Sequence, residues 1–325
     1  MKEEFKKIIK KISSCKTCFI MAHENLDLDA LGSSIGIYLI AKSRNKKAYI
    51  IIDDKTHELG VEKILREQEG CINIIKSDKI NDYLEKNKNL LIILDTNKKN
   101  LVQSKKVLDI ISDKIIIDHH ETGKESIKNA LILNDTTTSS TCQIITEFIE
   151  YLKLDISSTY ATIILSGIVL DTNNFTLKTS SDTFYAAHYL TSMGGSAKKV
   201  QYLLKQDLDE YNERQKLMTN IETINNKVAL TKASSYTFFR REDLARVADT
   251  LLFFNNIEAS FVIGKISKEI VGVSVRSLGN YEIDSILTEI GGGGDKYNGA
   301  AIFKNKTINE VEKLIKKVIK EKREE

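Results

Sequence analysis

Five histidines occur in 325 residues, and two of them are adjacent, in Asp118-His119-His120 directly after Ile115-Ile116-Ile117. Such a β-branched run reads as a buried strand, and in an open α/β sheet ligands gather at the carboxyl ends of strands. Other segments end in the same chemistry. Residues 17–22 run into His23-Glu24-Asn25-Leu26-Asp27-Leu28-Asp29, residues 90–94 into Asp95-Thr96-Asn97, and a helical segment, 157–170, into Asp171. Imidazole and carboxylate without thiolate suit Mn²⁺ or Mg²⁺ better than structural zinc. His23, Asp27, Asp29, Asp95, His119 and Asp171 are too many donors for one catalytic ion that must keep open positions. They are the right number for two ions sharing a carboxylate, which clamps the attacking and leaving oxygens of phosphoryl hydrolysis. Taken singly, an Asp at a strand end is as readily a helix cap or turn former; the convergence of all six points to a site.

The elements that must position these residues alternate between strand and helix. A helix at 3–13 is apolar at Phe5, Ile8, Ile9 and Ile12. Strands follow at 17–22, 47–52 (ending in Asp53-Asp54), 90–94, through Asp118, and briefly at 132–133, with helices at 31–43, 139–152 and 157–170. This alternation predicts a doubly wound parallel sheet. A helix at 181–193 is stopped by Gly194-Gly195, and a charge-dense helical stretch from 197 to about 221 reads as a connector. Beyond it come strands at 227–232, 259–265 and 270–277, the last two as antiparallel partners. A helix at 283–290 stops at Gly291-Gly292-Gly293-Gly294, a strand lies near 299–303, and a helix at 308–322 closes the chain. The expected fold class is therefore α/β: an N-terminal doubly wound parallel-sheet domain at 1–195, a connector at 196–222, and a smaller C-terminal α/β domain at 223–325 with a mixed or antiparallel sheet.

Composition narrows the function. The 48 basic and 45 acidic residues leave a net charge of only +3, so no basic field points to long nucleic acid. Cys15 and Cys18 form a C-x-x-C without a second pair or a His cluster to complete a zinc site, and the four cysteines lack a disulfide framework, which fits a reduced, cytoplasmic setting. No apolar run reaches the roughly 18 residues of a membrane helix, and the N-terminus does not read as a signal peptide. Proline is absent, so turns rely on Gly, Asn, Asp and Ser.

The motifs together resemble a known family. His23-x-x-x-Asp27-x-Asp29-Ala30-x-Gly32-Ser33, Leu94-Asp95-Thr96, Asp118-His119-His120 and Gly167-Ile168-Val169-Leu170-Asp171-Thr172 look like the successive motifs of the DHH phosphoesterases. Ile290-Gly291-Gly292-Gly293-Gly294 followed by Ala300-Ala301 resembles the glycine-rich signature of the associated C-terminal substrate-binding domain. Within that superfamily the chain is most similar, from about residue 17 to 320, to the catalytic portion of GdpP-type cyclic-di-AMP phosphodiesterases. Its echoes include Ser139-Ser140-Thr141, Asp171-Thr172-Asn173-Asn174-Phe175 and Ser274-Val275-Arg276-Ser277-Leu278-Gly279.

The resemblance implies two Mn²⁺ ions, with Mg²⁺ or Co²⁺ as substitutes. His23 and Asp27 would hold one and Asp29, His119 and Asp171 the other, with Asp95 bridging. Asp118 would orient His119, and His120 would contact the scissile phosphate. Arg276 would be the phosphate fork, and Ser139, Ser140, Ser277, Asp295 and the backbone of Gly291 to Gly294 would meet the nucleotide. The chain departs from the family pattern at Leu26 (usually Pro), Asn97 (usually His), Glu121-Thr122 (usually basic) and Asp295 (usually His). The implied reaction is hydrolysis of cyclic-di-AMP to 5′-pApA. The alternatives are cleavage of pApA, pAp or nanoRNA, as in NrnA-like relatives, and a nucleotide-binding sensor with weakened turnover. The implied partner is a small nucleotide, with a homodimer possible; the protein is expected in the cytoplasm, attached to a membrane only through upstream domains. A carboxylate beside bound phosphate repels it at neutral pH, so Asp295→His is expected to raise affinity for cyclic-di-AMP, measured by titration calorimetry; no change or a loss would mean that the carboxylate has its own role.

Overall fold

In the computed structural model, which describes residues 1–53, 57–123, 125–234, 236–294 and 296–322, the chain divides into two compact units, Met1–Lys205 and Gln206–Glu325. Asp54 and Asp295 lie outside the described residues. The division falls within the expected connector.

The first unit contains α1 (Lys2–Ser14), β1 (Thr17–Met21), α2 (Leu28–Ser43), β2 (Lys47–Ile51), α3 (Leu59–Glu67), β3 (Ile74–Ile75), β4 (Asn89–Leu94), α4 (Lys105–Ile110), β5 (Lys114–Asp118), β6 (Leu131–Asn134), α5 (Thr141–Leu152), α6 (Ser158–Asp171), α7 (Ser181–Ser192) and α8 (Ala197–Leu203). Six strands pair in the order β3-β2-β1-β4-β5-β6, all parallel. Alternation along each strand sends side chains to two cores. Cys18, Ile20, Leu90, Ile92, Leu94, Ile115 and Ile117 pack in the larger core, with residues of α1, α2, α5 and α6. Phe19, Met21, Leu91, Ile93 and Ile116 pack in a smaller one around Val102, Val107 and Leu108. Both faces are covered, as parallel sheets require. The strand order reverses between β1 and β4, and a sheet of this order binds ligands outside the carboxyl ends at that switch point.

Helices α2 and α6 are buried nearly all round, and they meet α5 through small residues. A Cβ on Gly167 would lie 2.5 Å from Cys142 Sγ and 2.8 Å from Asp29 Cα, so only glycine lets α6 approach the first turn of α2.

The second unit contains α9 (Leu208–Leu217), β7 (Glu222–Ile224), β8 (Val228–Lys232), α10 (Arg241–Leu251), β9 (Ala259–Lys265), β10 (Ile270–Ser277), α11 (Ile283–Glu289), β11 (Gly293–Gly294), β12 (Asn298–Lys304) and α12 (Ile308–Glu321). Its sheet order is β11-β12-β10-β9-β8-β7, with β8 and β9 parallel and the other pairs antiparallel. No helix among the described residues is long and apolar enough to cross a membrane.

Two expectations need correction. The stretch from 197 to about 221 is two helices, α8 and α9, because the Asp207 carboxylate caps α9 by accepting from Asp209 N and Glu210 N. Helix α2 begins three residues earlier than expected for the same reason: Asp27 is its N-cap. Helix α10 lies outside the elements expected from sequence, although Leu244, Val247, Ala248 and Leu251 carry its buried stripe. Gly167→Ala is expected to cost about 1–3 kcal/mol, the usual range for overpacking, measured by urea unfolding; an unchanged midpoint would mean that α6 can shift freely against α2.

Candidate metal centre

The expected donors arrive from the ends of β1, β4 and β5, from the start of α2, which carries both Asp27 and Asp29, and from the end of α6. His23 follows β1, and Gln103 Nε2 donates to its carbonyl at 2.7 Å. Its Nδ1 lies 2.7 Å from Glu24 O. A carbonyl partner assigns the ring proton to Nδ1 and leaves Nε2 as the donor atom for an ion. Asp27 divides its two oxygens. Oδ1 caps α2 by accepting from Asp29 N and Ala30 N, while Oδ2 lies 3.8 Å from His23 Nε2. For this Asp, helix cap and candidate ligand are one arrangement.

Asp95 follows β4 in the left-handed region, at φ +58°. Asp tolerates that conformation better than most residues, and the turn aims its buried carboxylate across the sheet end. Oδ2 lies 3.3 Å from His23 Nε2 and Oδ1 3.5 Å from His119 Nε2. His119 Nε2 also lies 3.2 Å from Asp171 Oδ2, at the C-terminus of α6. Asp29, fully buried in the first turn of α2, accepts from Thr141 N (2.8 Å) and Cys142 N (2.7 Å). The donors gather as His23–Asp27–Asp95 and Asp29–His119–Asp171, with donor atoms of each group within 4.8 Å of one another. A further trio, Asp95–His119–His120, satisfies the same limit.

The residues fit metal ions on a test internal to the site. His119 is buried, yet among the described residues neither ring nitrogen finds a hydrogen-bond partner. Buried polar nitrogens are almost always satisfied. Donor atoms about 2.1 Å from one ion at right angles lie roughly 3 Å apart, close to the spacing between His119 Nε2 and Asp171.

Crowding at this site perturbs the titration of Asp27, Asp29 and Asp95. Burial, with Asp95 and Asp171 nearby, pushes Asp27 up to about 7 against the pull of His23, and burial beside Asp95 and Asp171 lifts Asp29 well above the carboxylate range. Burial opposes charge on Asp95 too, but the imidazoles of His119 and His23 outweigh it and hold that carboxyl well below its ordinary value. Burial likewise opposes charge on His23 and His119, and the facing carboxylates raise both.

Several expected roles change. Asp118 touches His119 only at the backbone N–H (2.9 Å); its Oδ1 instead holds His120 Nδ1 at 2.8 Å. The reason is that β5 ends at Asp118, and the turn beyond folds the His120 ring, not that of His119, back over the carboxylate. Asn97, where the family usually has His, donates to Asp118 Oδ2 at 2.6 Å. Ser139 and Ser140 were expected at the nucleotide, but both are fully buried. Ser139 Oγ donates to Gln143 Oε1, and Ser140 Oγ caps α5 by accepting from Gln143 N. Thr141, missed as a functional residue, donates from Oγ1 to Asp95 Oδ1 at 2.9 Å. Its position as first residue of a capped helix was the available signal.

The remaining residues lie in the second unit. Arg276 Nε donates to Asp249 Oδ1 at 2.7 Å, and its Nη1 reaches Val275 O at 2.9 Å. Ser277 Oγ closes the 277–281 turn, accepting from Gly279 N and donating to Tyr281 O. The glycine tract is more than a flexible exit. Gly291, at φ +80°, ends α11 with Gly292 N donating to Leu287 O and Gly291 N to Thr288 O, a Schellman ending. A Cβ on Gly292 or Gly294 would meet backbone oxygen of Ala300 or Asn298 at 2.7 and 2.3 Å, whereas at Gly293 it would meet nothing within 4 Å. Among the described residues, Gly291 and Gly293 are thus the glycines of this tract whose faces stay open.

Residues 17–168 match the family model described as DHH family, N-terminal domain. Residues 17–168 therefore carry the N-terminal domain of the DHH family. It is 34% identical over 310 residues to the cyclic-di-AMP phosphodiesterase PdeA of Listeria monocytogenes, covering 94% of this chain and 47% of that protein. It is 24% identical to the bifunctional oligoribonuclease and PAP phosphatase NrnA of Thermus thermophilus, over 93% of this chain and 89% of that one. The chain spans about half the length of the cyclic-di-AMP phosphodiesterases it matches. Among solved structures, an exopolyphosphatase-related protein from Bacteroides fragilis shares the fold, with a TM-score of 0.82 at 20% identity over 99% of this chain and 96% of that one.

The sign of the pH dependence in this DHH site follows from the shifts. Asp27, Asp29, His23 and His119 bind protons more tightly in the folded state, so their stabilisation is present below their unfolded values and is lost as pH rises through the folded ones. Asp95, held low, acts in the opposite sense, and its contribution is lost only as pH falls below about 4. Protein treated with chelator is therefore expected to melt at falling temperature as pH rises from about 4 through 7, and a divalent cation to reverse the loss. Thermal scans with and without EDTA check this; a flat profile would mean that the carboxylates do not crowd one another.

Proposed function

We propose that this chain is a Mn²⁺-dependent phosphodiesterase that opens cyclic-di-AMP to 5′-pApA. The division of Asp95 carries the reading: one oxygen faces His23 and the other His119, as a carboxylate shared by two ions requires. Two divalent cations, one held by His23 and Asp27 and the other by Asp29, His119 and Asp171, with Asp95 between them, would supply Lewis acidity and acidify a water nucleophile. The thiolate-free donor set suits Mn²⁺, with Mg²⁺ or Co²⁺ as substitutes.

The chain's own groups perform the rest. Asp118, held by Asn97, fixes His120 through Nδ1 and leaves Nε2 of this half-exposed ring as the atom that meets the scissile phosphate. Arg276, oriented by Asp249, contributes charge to a substrate phosphate, and the open face of Gly293 admits nucleotide close to the backbone. The cyclic substrate is supported by the similarity to PdeA along 94% of this chain.

A second reading, hydrolysis of pApA or short RNA, is favoured by the match along 89% of NrnA. A time course with Mn²⁺ on cyclic-di-AMP and pApA side by side separates the two. Accumulation of pApA from the cyclic dinucleotide supports the first reading; consumption of pApA alone overturns it in favour of the second. Asp171→Ala is expected to lower the rate by at least about 10³-fold, roughly 4 kcal/mol of barrier, with an unchanged circular dichroism spectrum. A variant at full rate would sink the two-ion assignment.

A further inference from the structure

A carboxylate flanked by two candidate ions can bridge them or can turn and chelate one. Nothing in an isolated Asp chooses between these states, since both oxygens are equivalent and the terminal torsion is soft. At Asp95 the choice is made by a neighbour. Among the described residues, Thr141 Oγ1 makes the one hydrogen bond to this carboxylate, at 2.9 Å to Oδ1. That bond occupies one lone pair of Oδ1, leaving the other toward His119, while Oδ2 faces His23 Nε2 at 3.3 Å.

The same residue fixes the neighbouring ligand. The first amides of a helix lack intrahelical partners. In α5 these amides are assigned: Thr141 N to Asp29 Oδ2, Cys142 N to Asp29 Oδ1 and Gln143 N to the Ser140 cap. Asp29 is thus pinned through both oxygens, each with a lone pair to spare. Thr141 is fully buried, with its amide on one candidate ligand and its hydroxyl on another.

We propose that Thr141 is a positioning residue for the two-ion centre, holding Asp95 in the bridging orientation by its hydroxyl while its amide steadies Asp29. This rests on the metal-dependent reading above and extends it to a residue outside the donor set. The hydroxyl does not touch substrate, so its loss acts through metal occupancy. Hydrogen-bond partners of metal ligands typically govern affinity by about 10–100-fold.

The test is Mn²⁺ binding to the full chain by titration calorimetry, with electron paramagnetic resonance to separate coupled from isolated Mn²⁺. Thr141→Val keeps the shape and the amide but removes the donor; Thr141→Ser keeps the donor. Thr141→Val is expected to weaken Mn²⁺ binding about 10–100-fold and to lose the coupled signal, and Thr141→Ser to stay near wild type in both. A purely structural role would lower the melting temperature of chelated Thr141→Val and leave Mn²⁺ affinity and coupling unchanged, and that result overturns the proposal. Should Thr141→Val not fold, a Thr141→Ser variant with weakened Mn²⁺ binding would overturn it equally, because the donor is still present. Wild-type protein that binds no Mn²⁺ overturns the metal-dependent reading itself, a failure visible before any variant is made.

Discussion

The structure depends on keeping four carboxylates together at the ends of β1 and β4, a concentration of negative charge that a protein interior resists. At separations of a few ångströms, like charges in a partly buried setting cost several kcal/mol. The response is visible in the acids themselves: burial and mutual repulsion push Asp27 and Asp29 toward the neutral form, while His23 and His119 hold Asp95 ionised. The two imidazoles relieve only part of the congestion. Divalent cations at the proposed centre would relieve the rest, and in this sense the scaffold and its chemistry are one electrostatic problem.

Much of the remaining architecture serves that arrangement. The positive ends of two helices point into it, α2 carrying Asp27 and Asp29 at its start and α5 directing two amides at Asp29, where a negative group is favoured. Close packing of α2, α5 and α6 brings Asp171 to the same place from the opposite end of a helix, and Gly167 permits that approach. The left-handed backbone at Asp95 adds strain of order 1 kcal/mol; it continues past Asp171, where Asn173, Asn174 and Phe175 all adopt positive φ. Such strain is held where the surrounding packing over-determines the chain, which is also where geometry must be fixed.

In the second unit the glycine tract shows how one motif serves structure and access together. Two of its glycines are required because β12 passes within contact of the backbone, one because α11 ends in the left-handed region, and Gly293 is left facing open space. Arg276 shows a similar division: its guanidinium is oriented by Asp249 and by the backbone of its own strand. Orientation of that kind would leave fewer rotamers to be lost on the phosphate binding proposed for Arg276.

The sequence by itself determined the class of fold, the strands that end in acids, and all six candidate donors, because hydrophobic period and the chemical type of a residue at a strand end are local properties. The antiparallel pair at 259–265 and 270–277 was legible to the residue for the same reason. Tertiary structure decided which partner each donor meets. The turn after β5 gives Asp118 the ring of His120 and not that of His119, and the docking of α5 buries Ser139 and the Ser140 cap and sets Thr141 against Asp95. Docking of that kind is set by side chains more than forty residues apart, a separation over which no spacing rule operates. The sequence names the ligands; only the packed helices decide how they are held.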